Sequence, residues 1–430
     1  MRIAYDIAVL GRGHIDFRSR TGIFRAIESL MNALQYQASI KVIPTVLSTS
    51  VNFWDDILSG QYFLNELKSK QLSFYSSYEK NFSFEGIYRI AYQVQQSLIK
   101  TSRKEKLDLY HLNKLVKYAL LPLLGMDYKY SFEELNCSIY HSPFLKLPPA
   151  SLTGRATRVI TIYDMIPVIF PQYVTLRNRQ KFHGILDSID LHRDWVVCDS
   201  ENTKEDFCSY MNMSKDRVCV APLAASEIFR QIREPSSIRA TLNKYEIPER
   251  PYLLSLCTLE PRKNLDFVVK SFYRLITEMP NFQFNLVLVG AVGWKIQPLL
   301  DLVSSLGNLK ERVILTGYVS DEDLSALYSG AKAFVYPSLY EGFGLPPLEA
   351  MQCGVPVITS NNSSLPEVVG DAGLMINPTD TDEFCQTILN LTGDSVLQEG
   401  LSRRGIERAA SFSWAKCAEQ TADFYKIASA

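Results

Sequence analysis

The sequence has no Cys-x-x-Cys pair, no Gly-x-Ser-x-Gly, no P-loop pattern and no His/Cys/carboxylate cluster at metal-ligand spacing. Zinc-binding, hydrolase and kinase readings therefore have little support. The eight cysteines are scattered from Cys137 to Cys417, which argues against a disulfide framework and for a reducing compartment. No apolar run approaches the ~20 residues of a membrane span. The opening MRIAYDIAVLG has no basic region followed by a long apolar one, so no signal peptide is expected. Excess charge of either sign is also missing. With 45 Lys plus Arg against 46 Asp plus Glu, no net field attracts nucleic acid. What remains is an ordinary globular composition, 47% apolar and 21% charged. A chain of 430 residues exceeds one core, and two domains of roughly 150–200 residues each are expected, in the cytoplasm.

Apolar runs bounded by turn residues recur along most of the chain. Ile3–Leu10, Lys41–Leu47, Ser138–His141, Val159–Tyr163, Trp195–Cys198 and Arg217–Ala221 read as strands. A second series follows at Tyr252–Cys257, Phe284–Val289, Val313–Thr316, Ala333–Tyr336 and Val357–Thr359. Helical spacing separates them, as in Leu265–Met279, Ile296–Leu306 and Asp321–Ser329, which implies right-handed βαβ units and parallel sheets. The fold class is thus α/β, two Rossmann-like doubly wound domains facing across a cleft. Residues 1–230 form the first domain and 231–411 the second, with a linker near Ala224–Pro235. Residues 51–135 carry helical patterns but resist placement. Their basic segment from Lys100 to Lys117 fits either a surface on anionic lipid or a solvated helix face.

Ligands in such sheets bind beyond the strand carboxyl ends. Ala333–Tyr336 is followed there by a Gly/Pro-rich turn and a helix beginning near Pro347, with Glu341 in the loop and Glu349 in the helix. Gly342 and Gly344 would let backbone N–H groups approach an anion, and the two carboxylates would accept from sugar hydroxyls. The plainer alternative is a strand-to-helix turn with two surface glutamates. Arg262 and Lys263 follow Tyr252–Cys257 and suit a diphosphate, or are merely solvated. Asp164 after Tyr163 either orients an acceptor hydroxyl or caps the next turn. His14 and His141 also follow strands and are read as structural or solvated. Asp321-Glu322-Asp323 has metal-binding D-x-D spacing, but Ser320 and Asp323 form a capping box that competes with it. The first turn, GRGHIDFRSRTG, has Asp16 where a dinucleotide fingerprint needs its third glycine.

The pattern LEPRKN at 259–264, LVLVG at 286–290, the run from Val313 to Met351 and CGVPVITSNNSSLPEVVGDAGLMINPTD at 353–380 resembles the retaining glycosyltransferases of family four, the group 1 glycosyltransferases of GT-B fold. The first half resembles them more loosely, through RTGIFRAIESL, VITIYDMIPVIFP and DSENTKEDF. The resemblance implies a catalytic set of Glu341, Arg262, Lys263 and Asp164. It implies a donor site of Gly22, Tyr163, Arg262, Lys263, Val319, Glu341, Gly342, Phe343, Gly344, Leu345 and Glu349. Arg262 and Lys263 would hold the diphosphate, Glu341 would face the donor sugar, Glu349 the ribose and Val319 the base. Gly22 would belong to a loop closing over the phosphates. Tyr163 departs from the family, where a His commonly precedes the Asp. The segment 412–430 would pack back on the first domain.

The activity implied is retaining, metal-independent hexosyl transfer from a nucleotide sugar, with no cofactor, in exopolysaccharide or envelope polysaccharide synthesis. UDP-glucose or a related UDP-hexose leads as donor and GDP-mannose follows. The partners are that donor and a saccharide or lipid-linked saccharide acceptor, with a peripheral contact at the inner face of the membrane also envisaged. A non-catalytic nucleotide-sugar-binding subunit and an NAD-dependent oxidoreductase are the competing readings.

Overall fold

The computed structural model describes residues 1–15, 22–47, 59–60, 62–63, 75–76, 93–94, 97, 136–291, 293 and 295–430. The basic segment 100–117, most of the helical patterns between 87 and 120, and residues 16–21 lie outside the described residues.

The first sheet comprises β1 (Arg2–Asp6), β2 (Lys41–Val46), β3 (Tyr75–Ser76), β4 (Ile139–Ser142), β5 (Thr157–Ile162), β6 (Trp195–Cys198) and β7 (Val218–Val220). They lie in the order β3-β2-β1-β4-β5-β6-β7. The second comprises β8 (Tyr252–Leu256), β9 (Asn285–Val289), β10 (Val313–Gly317), β11 (Ala333–Tyr336), β12 (Val357–Ser360) and β13 (Leu374–Ile376). Their order is β10-β9-β8-β11-β12-β13. Every described pairing is parallel. Both are Rossmann-like sheets, and each reverses its winding between β1 and β4 or between β8 and β11, which opens a crevice at the carboxyl ends.

Burial on both faces explains the unbroken apolar runs: all five residues of β9 and all four of β11 are buried. Flanking helices show one apolar stripe instead. In Leu265–Glu278 it consists of Leu265, Val268, Val269, Phe272, Leu275 and Ile276. In Gly22–Leu34 it includes Ile27, Leu30, Met31 and Leu34. The helix Trp414–Ala428 places Cys417, Ala418, Ala422, Phe424 and Tyr425 in the core that also holds Ile3, Tyr5 and Ile27 of the first sheet's layer.

The first strand is shorter than the apolar run suggests. It stops at Asp6, and Ala8–Ile15 is helical, so the Gly11/Gly13 segment is no turn. The Asp6 carboxylate is the cause. It accepts the Ala8 amide at 2.9 Å, the Leu47 amide at 3.2 Å and the Tyr140 hydroxyl at 2.7 Å, turning the chain out of the sheet. An apolar run alone does not separate strand from helix. His141 is structural: its ring bonds Tyr425 Oη at 2.5 Å and Thr161 Oγ1 at 2.8 Å, and burial pushes its pKa down to about 3. Among the described residues no helix is long and apolar enough to cross a membrane.

Candidate active site

A cavity of about 450 Å³ lies between the carboxyl ends of the two sheets. Its wall contains Gly22, Tyr163, Asp164, Arg262, Lys263, Val319, Glu341, Gly342, Phe343, Gly344, Leu345 and Glu349. One space therefore brings together every residue the sequence singled out for donor binding or catalysis.

Two loops from β8 and β11 build its floor. After β8 a 3-10 turn spans Pro261–Lys263, and Asn264 takes a left-handed φ of 58° before the next helix. The Asn264 side-chain amide donates to the carbonyls of Pro337 (3.2 Å) and Pro378 (2.8 Å), while Leu339 N donates to Arg262 O at 3.0 Å. These bonds lace one loop to the other. The helix after β11 spans Leu345–Gln352, with Pro346 and Pro347 in its first turn, where no intrahelical donor is needed.

Glu341 is the electrostatic centre. Its Oε1 accepts from Lys263 Nζ at 2.6 Å, Arg262 Nη1 at 2.9 Å and Tyr336 Oη at 2.9 Å. Burial opposes its charge, but the two adjacent cations outweigh burial and hold the carboxyl at a pKa of about 2, below its ordinary 4.5. Arg262 also pairs with Glu260 at 2.7 Å and donates to Tyr340 O at 2.5 Å. Because the folded pKa is depressed, this pairing stabilises the protein above pH 4.5 and the contribution is lost as pH falls through about 2. An acid-unfolding limb on the order of 3 kcal/mol is expected there. Denaturant unfolding at stepped pH should show the limb in the wild type and its absence in Glu341→Gln.

The two domains touch directly at this floor. Gly342 O accepts from Ser200 Oγ at 2.6 Å and Thr203 Oγ1 at 3.1 Å. A Cβ on Gly342 would lie 1.8 Å from Tyr163 O. Gly342 thus serves domain contact as well as lining the cavity; Gly344, with φ of 131°, carries the conformation that only glycine adopts easily. The Glu367 carboxylate accepts the amides of Glu201 (2.8 Å) and Asn202 (2.7 Å), the N-terminus of the first domain's helix Glu201–Met211.

Asp164 caps the next turn, its Oδ1 accepting Ile166 N at 2.9 Å, and also lies in the cavity wall. Burial pushes its carboxyl up while Arg262 pulls it back. Burial also keeps the Tyr163 phenol neutral. Glu349 is 2% exposed. Its Oε2 accepts from Tyr328 Oη at 3.1 Å, and its Oε1 faces Arg25 Nη2 at 3.6 Å. The Ser320 capping box is not formed: Ser320 Oγ donates to Asp323 Oδ2 at 2.7 Å, and the same oxygen takes Lys244 Nζ (2.6 Å) and Tyr245 Oη (2.7 Å). Asp321 instead meets Arg25 at 3.5 Å, so the D-x-D carboxylates point to separate cations.

Arg25 and Asp199 are among the cavity residues not singled out from the sequence. Arg25 stands one turn after Gly22 in an amphipathic helix, where a lone arginine has no signal. Asp199 follows β6 as Asp164 follows β5, and the same rule applied to WVVC would have found it. Burial pushes its carboxyl well up, and its buried Oδ1 has no hydrogen-bond partner among the described residues.

Comparison with known proteins gives a consistent picture. The family profile described as "Glycosyl transferases group 1" matches residues 250–394. The chain is 38% identical over 294 residues to the O-antigen chain mannosyltransferase B of Escherichia coli, covering 67% of this chain and 74% of the relative. It is 33% identical over 267 residues to the serotype-specific mannosyltransferase WbdA of Escherichia coli, covering 60% of this chain and only 32% of that longer relative. Among solved structures, Anabaena Alr3699/HepE in complex with UDP and glucose superposes with a TM-score of 0.64 at 15% identity, over 99% of this chain and all of the other. That likeness concerns the fold, two Rossmann-like domains across a cleft.

Proposed function

From membership of the group 1 glycosyltransferases, the family to which this chain belongs, we propose that it transfers mannose from a nucleoside diphosphate donor to a saccharide or lipid-linked saccharide acceptor, with retention, in O-antigen or related polysaccharide synthesis. The chain is a glycosyltransferase; the sugar is the proposal. Mannose is supported by the names of the two relatives, and GDP-mannose accordingly moves ahead of UDP-glucose as donor. The observation that carries the reading is the Arg262–Lys263–Glu341 cluster, two cations and one carboxylate on facing loops within a single cavity.

Arg262 and Lys263 receive the diphosphate. The bond from the anomeric carbon to the phosphate oxygen breaks, and the acceptor oxygen bonds that carbon on the same face. The acceptor proton passes to the departing phosphate oxygen. No strong enzyme base is needed, which agrees with a neutral Tyr163 phenol at the cleft. The cations stabilise charge as it develops on the leaving group. Glu341, ionised at neutral pH, holds both cations in place and accepts from sugar hydroxyls. Gly344 and Leu345 offer backbone groups at a helix start, Val319 backs the base, and Glu349 receives the ribose diol. Asp164 orients the acceptor. In this reading Arg262 and Lys263 face the diphosphate in place of a metal ion, so transfer is expected to continue in excess EDTA.

The test is thermal stabilisation by GDP, UDP, ADP, dTDP and NAD in parallel. A ligand at about 100 times its dissociation constant adds about 2.7 kcal/mol. GDP should give that response, and GDP-mannose should then be consumed. A response to UDP alone would replace mannose by a UDP-hexose, and a response to NAD alone would overturn the transferase site.

A further inference from the structure

We propose that Arg25 is a positioning residue for Glu349, so that the nucleoside end of the donor site, built on the second domain, is completed by a side chain of the first. This inference rests on the ribose-binding role given to Glu349 above.

Arg25 belongs to the helix Gly22–Leu34, whose first residue sits against the Leu345 side chain. Its guanidinium reaches across the cleft with Nη1 3.5 Å from Asp321 Oδ2 and Nη2 3.6 Å from Glu349 Oε1. The Phe229 ring lies beneath it, 5.8 Å from centroid to guanidinium carbon. The two arms differ in setting. The Asp321 side chain is 40% exposed, where water screens an ion pair, and the Glu349 side chain is 3% exposed, where it does not.

A carboxylate receives a vicinal diol well only when ionised, since both oxygens must accept. Glu349 is badly placed to stay ionised unaided. Burial raises its pKa, and Asp321 adds to the rise; Arg25 and the Tyr328 hydroxyl oppose it, leaving a value of about 7. The remaining titratable neighbours stay neutral near that pH. Burial pushes Tyr328 well up and the Cys353 thiol up to about 12. Arg25 is therefore the only cation among the described groups acting on this carboxylate, and it comes from the opposite domain. Without it, the buried acid keeps its proton and one oxygen becomes a donor.

The experiment compares GDP with 2′-deoxy-GDP (or UDP with 2′-deoxy-UDP, if UDP is what stabilises the wild type) by titration calorimetry from about pH 6 to 9. The wild type should prefer the ribonucleotide by roughly tenfold or more, the worth of a hydrogen bond to a charged group. That preference should decline as pH falls through about 7. In Arg25→Met the preference should drop to about twofold at pH 7, and its midpoint should move up by about a unit or more. Arg25→Lys should restore both. An Arg25→Met protein with wild-type preference and midpoint would overturn the proposal and leave Arg25 a plain interdomain contact. Glu349→Gln separates the two levels: if it keeps the ribose preference, the ribose role of Glu349 itself has failed.

Discussion

Lys263→Met should lower the rate of sugar transfer at least a hundredfold while the protein stays folded. Lys263 Nζ sits 2.6 Å from Glu341 Oε1 and 2.6 Å from Tyr336 Oη, with only 11% of the side chain exposed. A preorganised charge at the leaving group is worth roughly a hundredfold to a thousandfold in turnover. Methionine keeps the stem and removes the charge. Folding should survive because Glu341 retains Arg262 at 2.9 Å. Glu341→Ala is the poorer test, because it leaves two buried cations facing each other, and breaking such a pair costs about 3–5 kcal/mol. Glu341→Gln avoids part of that loss. Turnover with GDP-mannose, measured beside the melting temperature, decides the matter: wild-type turnover in Lys263→Met would remove Lys263 from the chemistry.

Gly342→Ala should be nearly as severe for a different reason. The added methyl would sit 1.8 Å from Tyr163 O and 2.8 Å from Asp164 Cβ, both on the opposite domain. Backbone cannot step aside as a flexible side chain can, so the domains must part. The bonds from Ser200 and Thr203 to Gly342 O go with that movement. A misplacement of about 1 Å between reacting groups can cost a hundredfold, and a loss of that order in turnover is expected. Affinity for the nucleoside diphosphate should change far less, because Arg262 and Lys263 stay on their own domain. Parallel calorimetry and turnover measurements check the split. Equal losses in both would mean that the glycine shapes the donor pocket itself.

Much of this site was legible because strand carboxyl ends are legible. VITIY, YLLSLC and AFVY are buried on both faces and read as strands, so Arg262, Lys263 and Glu341 could be set on one rim of the cleft and Asp164 on the facing one. Contacts that depend on the second domain's approach were not. Arg25 meets Asp321, 296 residues away, and nothing in an amphipathic helix announces it. The domain contact of Gly342 was hidden as well, since close packing and anion binding favour the same residue. The end of β1 was hidden because the Asp6 carboxylate takes partners from Leu47 and Tyr140, which local sequence does not reveal. Ser320 lost its cap to Lys244 and Tyr245, which hold the Asp323 that a box would need.

The chain passes between its two domains twice, once after β7 and again at residues 411–413 before the helix Trp414–Ala428. The passages run side by side, with Cys417 Sγ 3.6 Å from Ala221 O. A body tethered at one point can swivel in any direction, whereas one held at two behaves as a door on two pins. Any parting of the domains would then be a swing about the paired crossings. One such swing would carry Gly342 off Tyr163, Glu367 off the helix start at Glu201 and Arg25 off Glu349 together. The phosphate end and the ribose end would thus be exposed and covered in one stroke.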